Sequence, residues 1–370
     1  MKSILTALIF LFACAANAQT IKKLTFLSEF DIPYNFQFQN TTVGGLSGID
    51  YNPKANEYYL ICDDRAVINP IRFYTAKINL KAGKIDTALF ISQTELRQPN
   101  GALYPSLSTD PAHAPDPEAI RFNSAKKYFV WTSEGERIIK DGNAILQDPA
   151  IIIIDSNGKD IGHFPLPKQF QMSKDEKGPR QNGAFEGVCF TDNSKTMYVT
   201  TEVPLYQDGP PAGLKDTSAY VRILKYDVDN KKLLAQYAYK LSSIAHAPKP
   251  EDGFKVNGIV DILPIGADEF MITERSFSTG VKNCTIKVFK CNFQTASDIT
   301  NVQSLKVNRP KMPVKKQLLL DMDSLNIYID NVEGATFGPR LSNGKRSMIF
   351  VSDNDFHSDR KTQFLLFQVD

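Results

Sequence analysis

Acidic side chains recur at matched positions in five segments of this chain that share one pattern. In each segment a polar residue precedes small and apolar residues, a turn follows, and an apolar run then ends in an acid. The two polar positions are 16 residues apart in three segments and 17 and 20 apart in the others: Ser47 and Asp63, Glu118 and Glu134, Glu186 and Glu202, Asn257 and Glu274, Glu333 and Asp353. Carboxylates brought together can bind a hard cation such as Ca²⁺ or act as general bases.

Each segment predicts two antiparallel β-strands joined by a turn, and two more strands follow most segments. The segments start 71, 68, 71 and 76 residues apart. Four strands per repeat are typical of β-propeller blades. We therefore predict an all-β fold, a single β-propeller domain over residues 19–370 with five four-stranded blades. Six or seven blades are possible if the loop 93–114 or 210–217 contains a degenerate blade.

The last segment lacks a fourth strand, whereas the N-terminal run from Ile21 to Phe30 has no segment of its own. If this run completes the last blade, it closes the ring and removes an open sheet edge, which would favour aggregation. We expect this closure.

The innermost strand of a blade and its hairpin partner are antiparallel, so the repeated polar residues of all five segments should meet at one end of the central channel. Crowded carboxylates raise each other's pKa unless a cation or an arginine offsets their charge. Arg65, Arg137 and Arg275 each follow a strand-end acid closely and could form a purely structural seal. We favour a ligand or metal site for the cluster, because an apolar seal would avoid the desolvation cost.

Other chemistries find less support in the sequence. It contains no Gly-x-Ser-x-Gly elbow, no zinc-type set of His and Cys residues, and no phosphate-binding glycine loop. His113 and His246 lie in proline-rich loops just before inner strands, which places them near the acidic rim. The cysteines Cys62, Cys189, Cys284 and Cys291 are either buried thiols or disulfide-bonded, and their spacing does not decide between the two.

The first 18 residues resemble a signal peptide, with Lys2, an apolar run from Ile4 to Ala13, and the cleavage signal Ala16-Asn17-Ala18. We expect export to the periplasm or the extracellular space. The chain has 43 Lys and Arg against 41 Asp and Glu, so its net charge of +2 gives no general attraction to nucleic acid. No later apolar stretch is long enough for a transmembrane segment, and we expect a monomer.

The repeated phrases resemble those of the phytase-like family, described as having esterase-like activity of phytase. The resemblance covers about Val43 to Val369 and rests on six phrases in order: Gly45-Leu46-Ser47-Gly48, Asp116-Pro117-Glu118-Ala119-Ile120, Phe185-Glu186-Gly187-Val188, Thr201-Glu202-Val203-Pro204-Leu205, Thr273-Glu274-Arg275-Ser276-Phe277, and Val351-Ser352-Asp353-Asn354-Asp355-Phe356. This resemblance implies a secreted propeller and a hydrolase, without fixing a substrate.

We therefore predict a secreted, calcium-assisted hydrolase of a phosphoester or ester. The alternative is a non-catalytic propeller that binds a sugar, a lipid or a protein at the same end. The candidate catalytic residues are Glu118, Glu186 and Arg275. The candidate substrate-binding residues are Ser47, Arg65, Arg137, His113, His246 and Asn354. The candidate metal ligands are Glu118, Glu186, Glu202, Glu274, Glu333 and Asp353.

Overall fold

The computed structural model describes residues 21–215 and 218–370, and within these ranges the chain forms five antiparallel four-stranded sheets. The helical content is three short 3₁₀ helices: Lys168–Phe170, Tyr206–Asp208 and Met322–Leu325. No helix of these ranges is long and apolar enough to cross a membrane. The predicted signal peptide, residues 1–18, lies outside the described residues.

The strands follow in chain order. The N-terminal strand is β1 (Leu24–Ile32), followed by the small hairpin β2 (Gln37–Phe38) and β3 (Thr41–Thr42). The first blade contains β4 (Leu46–Asn52), β5 (Glu57–Cys62), β6 (Arg72–Lys81) and β7 (Lys84–Glu95). The second contains β8 (Pro117–Asn123), β9 (Tyr128–Ser133), β12 (Ala150–Ile154) and β13 (Asp160–His163), interrupted by the hairpin β10 (Glu136–Lys140) and β11 (Asn143–Gln147).

In the described ranges, the remaining three blades have no inserted hairpin. The third contains β14 (Phe185–Thr191), β15 (Thr196–Thr201), β16 (Tyr220–Asp227) and β17 (Lys232–Lys240). The fourth contains β18 (Lys255–Gly266), β19 (Glu269–Ser278), β20 (Thr285–Asn292) and β21 (Lys315–Asp321). The fifth contains β22 (Asn331–Arg340), β23 (Arg346–Asp353) and β24 (Thr362–Val369), and its fourth strand is β1.

The five-bladed propeller and its closure are confirmed. Strand β1 pairs antiparallel with β24, from Leu24 opposite Val369 to Ile32 opposite Thr362. The inner strands β4, β8, β14, β18 and β22 contact one another in sequence, and β22 returns to β4. The loops 93–114 and 210–217 contain no further blade in the described part of the chain.

The core consists of apolar clusters between neighbouring blades. Between the first and second blades, for example, Tyr59 packs edge-on against Phe129 beside the buried Trp131. The four cysteines Cys62, Cys189, Cys284 and Cys291 are buried as free thiols in such clusters, which settles the question that their spacing left open. Because each blade shares its apolar faces with two neighbours, the ring positions all five inner strands together.

A buried ion pair crosses the central channel below the start of the inner strands. Arg121 of β8 donates to both carboxylate oxygens of Asp261 of β18, at 2.7 and 2.9 Å. Arg121 also donates to the carbonyl of Ile49 at 2.6 Å, and Asp261 accepts the backbone N–H of Ala335 at 2.7 Å. These contacts join four of the five inner strands and obstruct the channel at this level.

We expect Arg121→Leu to lower the free energy of unfolding by about 3–5 kcal/mol, because it leaves the Asp261 carboxylate buried without its partner. Urea unfolding followed by circular dichroism measures the loss, and the double variant Arg121→Leu/Asp261→Leu should recover part of it. The control is Lys126→Leu, which removes an exposed ion pair with Asp229 and should cost at most about 1 kcal/mol. Equal losses in the two single variants would contradict this role.

Candidate functional site

Irregular strand pairing brings four repeated polar residues out of the sheet ladder at one end of the channel. In four blades, the register between the inner strand and its hairpin partner shifts near the start of the inner strand. On the inner strand the shifts lie at Leu46/Gly48, Pro117/Ile120, Phe185/Val188 and Val332/Gly334. The residues within these shifts include Ser47, Glu118, Glu186 and Glu333. Such β-bulges bend a strand and redirect its side chains. On the hairpin partner, an acid comes directly after the residue that forms the pair next to each shift. These acids are Asp63, Glu134, Glu202 and Asp353.

The fourth blade departs from this register. In strand β18 the shift lies between Ile259 and Asp261, and the pair next to this shift is Ile259 with Glu274 of β19. The residue that follows this pair is Arg275. Arg275 therefore occupies, in the fourth blade, the position that an acid occupies in the other four.

Arg275 neutralises two acids of neighbouring blades. Its Nη2 lies 2.9 Å from Glu202 and 3.3 Å from Glu333. Burial opposes the charge of the guanidinium group, but these two carboxylates outweigh it and raise the pKa of Arg275. Gly258 makes room for this contact, because a Cβ there would lie 2.5 Å from Cγ of Glu202.

The structure separates Glu274 from the other predicted metal ligands. Glu274 accepts hydrogen bonds from the Tyr239 hydroxyl at 2.6 Å and from the Asn257 amide at 2.9 Å, and Lys316 lies 2.5 Å away. Its carboxylate is thus fully engaged between the third and fourth blades. The physical reason is the register of β18, which turns Arg275 rather than Glu274 to the axis.

Eight of the acids at this end fall into three groups, and Glu134 belongs to two of them; within each group the possible ligand atoms lie within 4.8 Å of one another. The groups are Asp63, Asp353 and Asp355; Asp116, Glu118 and Glu134; and Glu134, Glu186 and Glu202. All donors are carboxylate oxygens, the type that Ca²⁺ prefers.

Burial and mutual repulsion raise the pKa of most of these carboxyl groups. Desolvation is the largest cause for Glu118 and Glu186, and the charges of neighbouring acids add to it. Desolvation also raises the pKa of Asp116 to about 6 and that of Glu333 to about 7, although Arg65 and Arg275 oppose the rise. These two guanidinium groups, together with Arg360 at Asp355, therefore offset only part of the negative charge.

A cavity of about 230 Å³ opens over this end of the channel. Acids from four blades line it together with Arg275, Asn182, Asn331 and Arg360, and Phe254 and Phe277 form its apolar side. A larger groove of about 670 Å³ lies at the hairpin turns of the third and fourth blades, at the opposite end of the propeller. Its lining has few charged side chains, so the acidic cavity is the better candidate site.

Three predicted substrate-binding residues lie near the cavity but are engaged in structural contacts. The hydroxyl of Ser47 donates to the carbonyl of Glu118 at 2.7 Å and so joins the first two blades. Arg65 pairs with Glu136 at 2.8 Å and Asp116 at 3.3 Å. The amide oxygen of Asn354 accepts the backbone N–H of Gly45 at 3.1 Å.

The other three predicted substrate-binding residues do not line the cavity. Arg137 stacks over the ring of Tyr206 at 4.9 Å and donates to the carbonyl of Ser173. His113 is exposed and contacts Asp110, and His246 is exposed and lies 3.2 Å from Asp323. Proximity in sequence to an inner strand thus did not bring these side chains to the axis.

Sequence reasoning did not assign four acids of the site a role: Asp63, Asp116, Glu134 and Asp355. Two of them, Asp63 and Glu134, were visible as strand-end acids of the repeat. Asp116 and Asp355 lie two residues from a repeated acid, and only the folding of the adjacent loops brings them into the groups.

Fold and site together define a five-bladed β-propeller with a carboxylate-lined cavity at one end of its axis. The chain belongs to the phytase-like family, described as esterase-like activity of phytase, whose family model matches residues 41–356. No protein of curated function matches the sequence.

Solved structures with a similar fold share little sequence with this chain. The alpha-L-arabinofuranosidase from Lactobacillus brevis is 11% identical with a TM-score of 0.45, and the match covers 88% of this chain and 91% of that one. The alpha-L-arabinanase from Cellvibrio cellulosa is 11% identical with a TM-score of 0.42, covering 88% and 95%. These similarities concern the propeller fold alone.

We expect the metal-free protein to lose stability as pH rises from about 4 to about 7. A carboxyl group with a raised pKa holds its proton more tightly when folded, so its stabilising contribution disappears as pH passes through the folded pKa. Thermal unfolding in EDTA at pH 5 and pH 8 measures this change, and Glu333→Gln should reduce it. A midpoint that rises from pH 5 to pH 8 would argue against the crowded acids.

The different surroundings of Glu274 and Glu186 predict opposite effects of the same substitution. Glu274→Gln should cost about 1–3 kcal/mol, because it weakens a satisfied buried network. Glu186→Gln should leave the metal-free protein equally or more stable, because it removes a like charge from Glu134 and Glu202. Urea unfolding in EDTA compares the two variants, and a loss of stability in Glu186→Gln would contradict the repulsion.

Proposed function

We propose that the protein is an exported, calcium-assisted hydrolase that acts on a phosphoester or ester in the acidic cavity. The observation that supports this most directly is the excess of buried carboxylates over guanidinium groups at one end of the channel. An excess of this kind is costly without a cation. Membership of the phytase-like family is consistent with a hydrolase.

The donor set fits a hard divalent ion. Carboxylates supply the three groups, and Asn331 and Asn182 add amide oxygens at the cavity wall. Neither histidine nor cysteine contributes to these groups among the described residues, which favours Ca²⁺ over Zn²⁺. The ligands would be Glu118, Glu186, Glu202, Glu333 and Asp353 from the sequence analysis, with the acids that the structure adds.

Hydrolysis needs a proton acceptor for the attacking water and positive charge near the reacting oxygen, and residues of the cavity can supply both. A carboxylate with one oxygen left free by the ion, for which we assign Glu186 or Glu118, accepts a proton from the attacking water. Arg275 faces the same cavity and offsets negative charge that develops on a phosphoryl or carbonyl oxygen. The bound cation would supply further polarisation of that oxygen and lower the pKa of a water molecule.

The substrate would be a small molecule that enters from the acidic end, because Arg121 and Asp261 obstruct the channel below. A neighbouring pocket of about 600 Å³ shares Phe277 and Arg360 with the acidic cavity. Val281, Cys284 and Tyr328 form an apolar part of its lining, beside charged side chains that include Lys282 and Asp330. This pocket offers room for the alcohol portion of an ester.

One observation favours the second candidate function, a propeller that binds a ligand without hydrolysing it. The side chain of Phe254 is 66% exposed at the edge of the cavity, and its ring lies 6.1 Å from that of Phe277. Exposed aromatic rings of this kind can stack on a sugar or an apolar ligand. This function requires the aromatic surface and not the acids.

We expect Ca²⁺ to raise the thermal midpoint of the EDTA-treated protein, because it binds the folded state preferentially. The gain should be larger at pH 8 than at pH 5, where protons compete for the carboxylates. Calorimetry with and without Ca²⁺ measures both effects, and NaCl at matched ionic strength is the control. An unchanged midpoint would count against a calcium site.

Activity distinguishes the two candidate functions. With Ca²⁺ present, we expect hydrolysis of p-nitrophenyl phosphate or p-nitrophenyl acetate, with a loss of at least about 100-fold in kcat for Glu186→Gln as a missing general base. Glu57→Gln, at the opposite end of the first blade, is the matched control. If neither substrate is hydrolysed while Phe254→Ala abolishes binding of a ligand, the non-catalytic function is favoured.

A further inference from the structure

The carboxylate of Glu134 is fully buried, and one of its oxygens has no hydrogen-bond partner in the described ranges. The residue follows β9 directly, and only 1% of it is exposed. One oxygen, Oε1, accepts the backbone N–H of Ala184 at 2.5 Å. The other, Oε2, is buried and has no hydrogen-bond partner within the described part of the chain. An unsatisfied buried carboxylate oxygen is costly, so this atom points to a ligand that is a cation or a donor.

The position of Glu134 is shared between two groups of acids. It lies within 4.8 Å of Asp116 and Glu118 on one side and of Glu186 and Glu202 on the other, measured between possible ligand atoms. Strands β8 and β14 of neighbouring blades supply Glu118 and Glu186, so Glu134 lies at the junction of the second and third blades. A single carboxylate can bridge two ions in such an arrangement.

The charges around Glu134 exceed what one divalent ion can neutralise. The two groups contain five carboxylates, and two guanidinium groups contact them: Arg65 at Asp116 and Arg275 at Glu202. Each arginine also contacts a further acid, Glu136 or Glu333, so seven carboxylates face two guanidinium groups. Five negative charges remain when all are ionised. One divalent ion would leave three of them, whereas two ions would leave one.

We propose that Glu134 bridges two divalent cations, one held with Asp116 and Glu118 and the other with Glu186 and Glu202. The inference rests on the proposed function and narrows it to phosphoester hydrolysis, because paired cations suit the attacking and leaving oxygens of a phosphoryl group. In that reaction the water oxygen bonds to phosphorus and the bond from phosphorus to the alcohol oxygen breaks. One water proton passes through a carboxylate to the alcohol, and the other stays on the phosphate.

The third group of acids does not extend the bridge. Asp63, Asp353 and Asp355 share no member with the other two groups, and Asp355 pairs with Arg360. The oxygen atoms of this group include none that is both buried and without a partner in the described ranges. It therefore serves as an internal comparison for the two bridged groups.

Isothermal titration of the EDTA-treated protein with Ca²⁺ tests the bridge by counting ions. We expect Glu118→Gln and Glu202→Gln each to lose one ion, whereas Glu134→Gln should weaken both ions at least about tenfold. Glu57→Gln, far from the cavity, should bind as the unaltered protein does. Circular dichroism checks that each variant is folded.

Lanthanide luminescence tests the bridge without counting the bound ions. Terbium replaces calcium, and its emission can be excited through Trp131, the single tryptophan, which lies three residues before Glu134. Two bridged ions lie about 3.5–4 Å apart. Mixed loading with terbium and europium should therefore shorten the terbium emission lifetime, and Glu134→Gln should abolish that shortening while Glu57→Gln should not.

The outcomes separate the bridge from the proposed function. Two coupled ions that both weaken in Glu134→Gln support the bridge. A single ion in the two groups, or the loss of only one ion in Glu134→Gln, overturns the bridge but leaves a calcium-assisted hydrolase in place. If neither Ca²⁺ nor terbium binds, the proposed function fails with it. Equal hydrolysis of p-nitrophenyl acetate and p-nitrophenyl phosphate would overturn the restriction to phosphoesters.

Discussion

The closed ring forces like charges together at its axis, and the properties of the site follow from that constraint. Pairing of β1 with β24 fixes the last blade, and the apolar clusters between blades then fix the position of every inner strand. Carboxylates at the start of these strands cannot move apart without opening the ring. Their repulsion and desolvation must therefore be offset by protons, by arginine or by a bound cation.

The channel contains two polar layers that differ in their balance of charge. In the lower layer Arg121 and Asp261 form a matched pair, and their remaining contacts go to backbone groups of neighbouring inner strands. The charges of that layer balance without a ligand, although the buried Nε of Arg121 has no hydrogen-bond partner in the described ranges. The upper layer has more acids than arginines and contains the unpartnered oxygen of Glu134. The contrast supports a structural role for the lower layer and a binding role for the upper one.

The sequence repeat predicted the blades because the apolar pattern of the strands and their spacing are visible directly in the sequence. It did not predict the register of the fourth blade. The segment Asn257-Gly258-Ile259 matches Glu186-Gly187-Val188 in pattern. The register shift of β14 lies before Val188, whereas that of β18 lies after Ile259. A bulge depends on how neighbouring strands pack, which a single segment does not reveal. For the same reason the sequence assigned Glu274 to the metal and gave Glu134 no role.

The arginines also limit the substrates that the proposed site can accept. Arg275 contacts Glu202 and Glu333, and Arg65 contacts Asp116 and Glu136, so much of their positive charge is already offset before a substrate binds. Arg360 pairs with Asp355, and the pocket beside it combines apolar side chains such as Val281 with charged ones such as Asp330. A molecule with many phosphate groups would add more negative charge than these residues and the two proposed cations can offset. For the proposed hydrolase, this balance of charge favours an ester with one phosphate.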